Sequence, residues 1–267
     1  MALNLIWITK EGTMLMTIDI GNTNISIGVY QGDKLGPRWR VSTDHNRMPD
    51  EYGLQLDGLL KHKNLTPGDI TGICIASVVP PITGSILQAC REYLDLDPLV
   101  VDPGVKTGVK ILYETPRSVG ADRIVDAAAV QHLYGGPACV VDFGTGTTFD
   151  AISKEGDYLG GAIAPGIGIA AEALFRRAAK LPRVDLSTPP SVIGLNTPHS
   201  MQSGLIFGYV GLVEGMVKRF RAELGPEMKV IATGGLTEII ARETKVIEIV
   251  APWLTLDGLR IIWDMNQ

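Results

Sequence analysis

Two short stretches of this chain share one form, and that form limits what the chain can fold into. Val140-Val141-Asp142-Phe143-Gly144-Thr145-Gly146-Thr147-Thr148-Phe149-Asp150 reads as a strand, a tight Gly/Thr turn and an antiparallel return strand. Thr17-Ile18-Asp19-Ile20-Gly21-Asn22-Thr23-Asn24 repeats the pattern, an Asp two residues before a glycine, between apolar runs. Glycine opens backbone conformations closed to other residues and lets a ligand approach the main chain closely. Successive amide N–H groups and Thr hydroxyls in such a turn form a concave donor surface for phosphate oxygens. The Asp would repel phosphate by itself, so it fits there only with a cation between them. One such turn could be an ordinary hairpin. Two of them suggest two halves facing each other across a nucleotide.

Around these turns the residue pattern predicts an α/β chain with a repeated order. Strands are expected over 14–20, 25–30 and 38–43. A helix follows over 50–62, where Tyr52, Leu56, Leu59 and Leu60 fall near helical spacing. A strand over 70–79, a helix over 82–94 and a strand over 99–101 complete βββαβαβ, the order of a ribonuclease-H-like half. The second half opens with an alanine-rich helix over 120–133, ended by Gly135-Gly136-Pro137. Strands over 138–143, 147–153 and 158–164 come next, then helices over 167–180 and 200–224. A strand over 229–232 leads into Thr233-Gly234-Gly235, and a helix and a short strand over 246–250 follow. The chain divides on this reading into an N-terminal extension 1–13, a first domain 14–117 and a second domain 118–267. Residues 181–198 hold four prolines and read as an excursion over the surface or onto the site.

Other motifs narrow the chemistry. No GxxxxGK[ST] occurs, which excludes a P-loop. Gly166-Ile-Gly168-Ile-Ala-Ala171 matches GxGxxA, but its strand ends a meander instead of opening a βαβ unit, and close packing of the next helix accounts for the glycines more simply. Thr233-Gly234-Gly235 is either a helix-start turn or a flat platform for adenosine, with a helix N-terminus beside it for an anion. Asp122, in Gly120-Ala121-Asp122-Arg123, either complements a helix dipole with Arg123 as its surface partner, or turns a carboxylate and a guanidinium onto a substrate. Phosphoryl transfer needs such a carboxylate to accept the proton of the acceptor hydroxyl. Glu172 could face the site or the solvent.

Composition removes several classes. With 267 residues, 45% of them hydrophobic, the chain can fill a core in each of two modest domains. The net charge is −5 and no Lys/Arg block occurs, so no nucleic-acid partner is expected and an anionic substrate needs local positive charge. Residues 3–8 are apolar apart from Asn4, but too short for a bilayer span and without the flanks of a signal peptide, so no membrane partner is expected. Cys74, Cys90 and Cys139 form no CxxC and lie in apolar stretches, which fits a reducing cytoplasm. His45, His62, His132 and His199 show no ligand spacing.

Taken in order, Asp19-Ile-Gly-Asn-Thr23, Gly120-Ala-Asp-Arg123, Asp142-Phe-Gly-Thr-Gly-Thr-Thr148, Gly160-Gly-Ala-Ile-Ala-Pro-Gly166, Lys180-Leu-Pro182 and Thr233-Gly-Gly235 resemble the motifs of type III pantothenate kinase, over about residues 14–259. The resemblance implies the acetate and sugar kinase/Hsp70/actin superfamily, with two ribonuclease-H-like domains and a nucleotide cleft between them. It also implies a cytoplasmic homodimer that phosphorylates pantothenate with ATP, the first step of coenzyme A biosynthesis. ATP would be bound by Asp19, Ile20, Gly21, Asn22, Thr23, Asn24, Ile25 and Ser26, with Asp19 directed to Mg²⁺, and by Thr145, Gly234 and Gly235. Asp122 would be the proton acceptor, and Tyr113, Gly120, Ala121, Asp122, Arg123 and Thr197 would form the pantothenate subsite. Arg123 can pair with the pantothenate carboxylate. Asp142 would be the ligand of a monovalent cation, K⁺ or NH₄⁺. The second turn carries Gly146 where that family more often has Ala, which adds flexibility and removes no donor.

Two competing readings remain at this level. A sugar kinase of the same superfamily would share the Asp-Gly turns and Thr-Gly-Gly, but the Gly-Ala-Asp-Arg helix start argues against it. A nucleotide-binding regulator without turnover would share the fold. Asp19, Asp122 and Asp142 together favour catalysis, because a pure binder has no need of a base.

Overall fold

β-branched runs joined by tight turns build the first sheet as a meander. In the computed structural model, which describes residues 13–267, β1 (Met14–Ile20), β2 (Asn24–Gln31) and β3 (Lys34–Ser42) pair antiparallel in sequence order. α1 (Pro49–His62), β4 (Ile70–Ser77), α2 (Pro80–Leu94) and β5 (Leu99–Val100) follow, and β4 returns parallel to β1. The sheet runs β3-β2-β1-β4-β5. One face, carrying Ile18, Ile20, Ile25 and Ile27, packs with Leu56 and Leu60 of α1 and Ile82 and Ile86 of α2. Pro80 and Pro81 begin α2, two residues before the expected start. A proline in the first turn gives up an N–H that has no helical partner anyway.

The second set repeats the first. α3 (Ala121–Leu133) leads into β6 (Ala138–Phe143), β7 (Gly146–Ile152) and β8 (Tyr158–Pro165), again an antiparallel meander. α4 (Ile167–Arg177), α5 (Thr197–Leu224), β9 (Lys229–Gly234), α6 (Thr237–Ala241), β10 (Ile249–Val250) and α7 (Leu254–Met265) complete the chain. β9 runs parallel beside β6, and the sheet order is β10-β9-β6-β7-β8. Both sheets therefore run third, second, first, fourth, fifth, the duplicated βββαβαβ of ribonuclease-H-like α/β domains that the element order predicted. α5 supplies Leu205, Ile206, Val213 and Val217 against Val141, Phe149, Val230 and Ala232 of the sheet.

The residues group into two compact units. The first holds the described chain to 108 with 117–125 and 255–267, and the second holds 109–116 and 126–254. The expected extension 1–13 lies outside the described residues apart from Thr13.

α7 was not foreseen from the sequence. Side chains alternate across a strand, so Gly28 and Tyr30 point away from the face that carries Ile27. A Cβ at Gly28 would lie 2.9 Å from Leu256, and one at Gly72 of β4 would lie 2.3 Å from the Trp263 ring. The Tyr30 hydroxyl donates to Asp257 Oδ1 at 2.6 Å. α7 thus covers the second face of the first sheet, and the glycines make room for it. All three cysteines are buried free thiols, and burial pushes Cys74 and Cys90 up to about 12. Among the described residues no helix is long and apolar enough to cross a membrane.

Candidate functional site

The two Asp turns occupy equivalent places. Asp19 is the penultimate residue of β1 and Asp142 of β6. Asp19 sits opposite Ser26 of β2 and Ala76 of β4, and Asp142 opposite Thr148 of β7 and Thr233 of β9. Each is half-buried between buried neighbours. In open α/β sheets ligands bind beyond the carboxyl ends of the strands, where the strand order reverses, and both Asp residues lie at such a point.

In the first unit the turn is tied from two sides. The Gly21 N–H donates to Asn24 O at 3.0 Å, the Thr43 hydroxyl donates to Gly21 O at 2.6 Å, and the Thr43 amide donates to Thr23 O at 3.0 Å. Asn22, Thr23 and Asn24 are exposed, while Ser26 is half-buried. Ile20 and Ile25 are core residues, so they can serve a ligand only through their main chain.

The start of α3 belongs to the same unit and reaches this turn through Val78. The Val78 N–H donates to Ile20 O at 3.1 Å, and a Cβ at Gly120 would lie 3.3 Å from Val78 Cγ1. Asp122 Oδ1 accepts the Arg123 amide at 2.8 Å. That same oxygen lies 2.4 Å from where a Gly120 Cβ would be, so glycine at 120 gives the carboxylate its place. Ala121, Asp122 and Arg123 are half-buried.

In the second unit glycines frame Asp142. A Cβ at Gly144 would come within 3.1 Å of Asp142 Oδ2, and one at Gly234 within 2.4 Å of Oδ1 and 2.7 Å of the Phe143 backbone. Gly234 has φ +94°, a left-handed conformation, and its carbonyl accepts the Thr237 hydroxyl at 2.9 Å. Gly144 and Gly146 do not adopt positive φ, so conformational freedom is not what the second turn asks of them. At Gly144 it is the absence of a side chain beside Asp142. Gly166, which caps α4, is needed because its Cβ would overlap Thr145 O at 2.1 Å, but nothing crowds Gly168. Thr145 and Gly235 are exposed.

Several expectations change on this geometry. The helix after Gly234-Gly235 is α6, with only five residues, so it carries little of the dipole expected for an anion. Thr197 is the first residue of α5 and not part of the preceding loop, because Asn196 caps that helix by accepting the His199 amide at 2.9 Å. Glu172 is exposed and pairs with Arg176 at 2.7 Å along α4. Tyr113, in the second unit, is 41% exposed and lies near Tyr158 and Gly160.

The donor set limits which ions fit. Among the described residues no cluster of three or more His, Cys, Asp or Glu side chains gathers as a metal site. Mg²⁺ needs no such cage when one carboxylate and substrate phosphates share it with water, which suits Asp19. For Asp142, neither Gly144 nor Gly234 adds a side chain of its own beside the carboxylate, which suits a larger oxygen-bound cation.

Known proteins resemble the chain in sequence and in fold. The profile of the type III pantothenate kinase family matches residues 15–219. A type III pantothenate kinase of Roseiflexus sp. (strain RS-1) is 55% identical over 254 residues, 95% of this chain and 100% of that protein. Among solved structures, a Baf family transcriptional activator from Campylobacter jejuni shares 20% identity at TM-score 0.59, over 94% of this chain and 98% of that one. An inorganic polyphosphate/ATP-glucomannokinase from Arthrobacter sp. strain KM shares 15% at TM-score 0.50, over 96% and 100%. At those identities the likeness is one of fold alone.

Proposed function

We infer the chemistry of the site from one premise: the chain belongs to the type III pantothenate kinase family. It transfers the γ-phosphoryl group of ATP to the hydroxyl of pantothenate, in coenzyme A biosynthesis. The observation that carries this is the family match across nearly the whole chain, in a sequence that carries Asp19, Asp122 and Asp142.

The residues divide the work as follows. Asp122 takes the proton of the acceptor hydroxyl as its oxygen bonds to the γ-phosphorus and ADP leaves. The main chain from Asp19 to Ser26, with Thr145, Gly234 and Gly235, holds ATP, the amides of the turns donating to phosphate oxygens. Asp19 would hold Mg²⁺ together with the phosphates, and that ion would supply positive charge to the transferred group. Asp142 holds the monovalent cation, K⁺ or NH₄⁺. Arg123 pairs with the pantothenate carboxylate, and Tyr113, Gly120, Ala121 and Thr197 complete that subsite. The half-buried position of Arg123 supports its role, since a guanidinium out of bulk water binds a carboxylate more strongly.

The working form in this reading is a cytoplasmic homodimer. Ile163, Ile169, Phe175, Val192, Ile193 and Leu195 are all exposed within one stretch of the second unit, and exposed apolar side chains that gather into a patch mark a contact surface. Three buried free thiols fit a reducing compartment.

ADP release from ATP in Mg²⁺ and K⁺ buffer, with and without pantothenate, tests the reading. Release that depends on pantothenate supports it, and release independent of pantothenate refutes it. Asp122→Asn keeps the shape of the side chain and loses the proton acceptor, so it binds both substrates and turns over very slowly. Near-normal turnover in that variant removes Asp122 from its role.

A further inference from the structure

The second sheet carries a buried polar chain that this division of labour does not use. Asp150 is 2% exposed, yet two hydroxyls donate to it: Thr148 Oγ1 to Oδ2 at 2.9 Å and the Tyr158 hydroxyl to Oδ1 at 2.9 Å. Burying a carboxylate costs stability, and a phenylalanine at 158 would fill the same space without needing one. The hydroxyl and carboxylate together fix the direction of a ring.

That ring meets Tyr113. The centroids are 6.3 Å apart with planes tilted by 56°, within the range of favourable aromatic pairs. The main chain binds the two segments as well, since Tyr158 N–H donates to Lys110 O at 2.9 Å and Leu112 N–H donates to Tyr158 O at 2.8 Å. Gly160, with φ +119°, also lies close to the Tyr113 ring, and a Cβ there would lie 3.2 Å from it. An aromatic side chain as exposed as Tyr113 ordinarily samples several rotamers. Here it is backed by a fully buried ring whose far end is anchored.

We propose that Tyr158, anchored by Asp150 and aided by the bare face of Gly160, is a positioning residue that fixes the Tyr113 ring against pantothenate. The proposal rests on the reading of Tyr113 as a pantothenate contact. Tyr158 touches no substrate in it and acts through Tyr113 alone.

Steady-state kinetics of the full chain, varying pantothenate and ATP separately, test this in Tyr113→Ala, Tyr158→Phe, Gly160→Ala and the Tyr113→Ala/Tyr158→Phe pair. A lost positioning contact raises one KM and leaves kcat. Tyr158→Phe and Gly160→Ala are expected to raise the pantothenate KM about threefold to tenfold, leaving the ATP KM and kcat within about twofold. In the Tyr113→Ala background Tyr158→Phe adds nothing further. Gly160→Ala also strains the backbone at φ +119°, so its Tm is expected to fall beside the rise in KM. Asp150→Asn, which loosens the anchor but keeps an oxygen for the Tyr158 hydroxyl, is expected to raise the pantothenate KM less than Tyr158→Phe and reads the same tie should loss of the hydroxyl impair folding. If Tyr113→Ala raises the pantothenate KM but the Tyr158→Phe effect is absent or simply adds to it, the positioning role is overturned while Tyr113 keeps its assignment. If Tyr113→Ala leaves that KM unchanged, the assignment of Tyr113 falls, and the proposal falls with it.

Discussion

Gly120→Ala displaces the proposed proton acceptor without altering it. The new Cβ would stand 2.4 Å from Asp122 Oδ1, where ordinary contact begins at 3.4 Å, so the oxygen must retreat by about 1 Å. The other obstacle, Val78 Cγ1 at 3.3 Å, has only to yield slightly. Gly120 does not have positive φ, so the backbone accepts alanine, and what moves is the end of a flexible side chain. The hydrogen bond from the Arg123 amide to that oxygen is lost at the same time. A 1 Å error in a reacting group costs on the order of 100-fold in rate. The expected result is a kcat for pantothenate-dependent ADP release about 100-fold down, with a Tm within a few degrees of the parent. Gly234→Ala is the control. It also places a Cβ 2.4 Å from a carboxylate oxygen, but at φ +94° and against the Phe143 backbone, so it costs stability, about 1–3 kcal/mol from the backbone strain alone. A Gly120→Ala protein with unchanged Tm and kcat within threefold would show that the position of Asp122 does not govern the reaction.

Two further outcomes follow from other residues. With Asp142 as a cation ligand, Na⁺ replaces K⁺ poorly, and Asp142→Asn loses the distinction between the salts; equal parent rates in K⁺ and Na⁺ would refute that role. Burial raises the Asp257 carboxyl, against the opposing effects of the Tyr30 hydroxyl and Arg260. The folded state therefore binds the Asp257 proton more tightly than the unfolded chain. This contribution to stability is full below the unfolded pKa and is lost as pH rises through the folded value. The Tm of Asp257→Asn, which still offers an oxygen to Tyr30, is expected to fall less than the parent's as pH rises from about 4. Parallel profiles would refute it.

What the sequence disclosed was local. Each Asp-Gly turn is a short-range pattern, and the order of elements around it was enough to predict the βββαβαβ of both halves. The start of α5 was also within reach, because Asn196 with Pro198 two residues on is a cap signal. Other features depend on residues far apart in the chain. Nothing near Gly28 or Gly72 announces that Leu256 and Trp263 need the space. The tie between Asp150 and Tyr158 depends on the pairing of β7 with β8, and the value of Gly120 depends on which rotamer Asp122 holds. Gly144 shows the opposite error: a glycine in a turn suggests backbone freedom, and here it serves a side chain.

The cover that α7 lays over the first sheet has a consequence for synthesis. A ribosome releases β1 to β4 long before it makes Leu256 and Trp263, about 180 residues after Gly72, and at 5–20 residues per second that gap is roughly 10–40 s. Throughout that interval the face bearing Gly28, Tyr30 and Gly72 lacks its helix. A nascent chain stalled in this window would present an apolar sheet face to whatever chaperone or neighbouring polypeptide met it first.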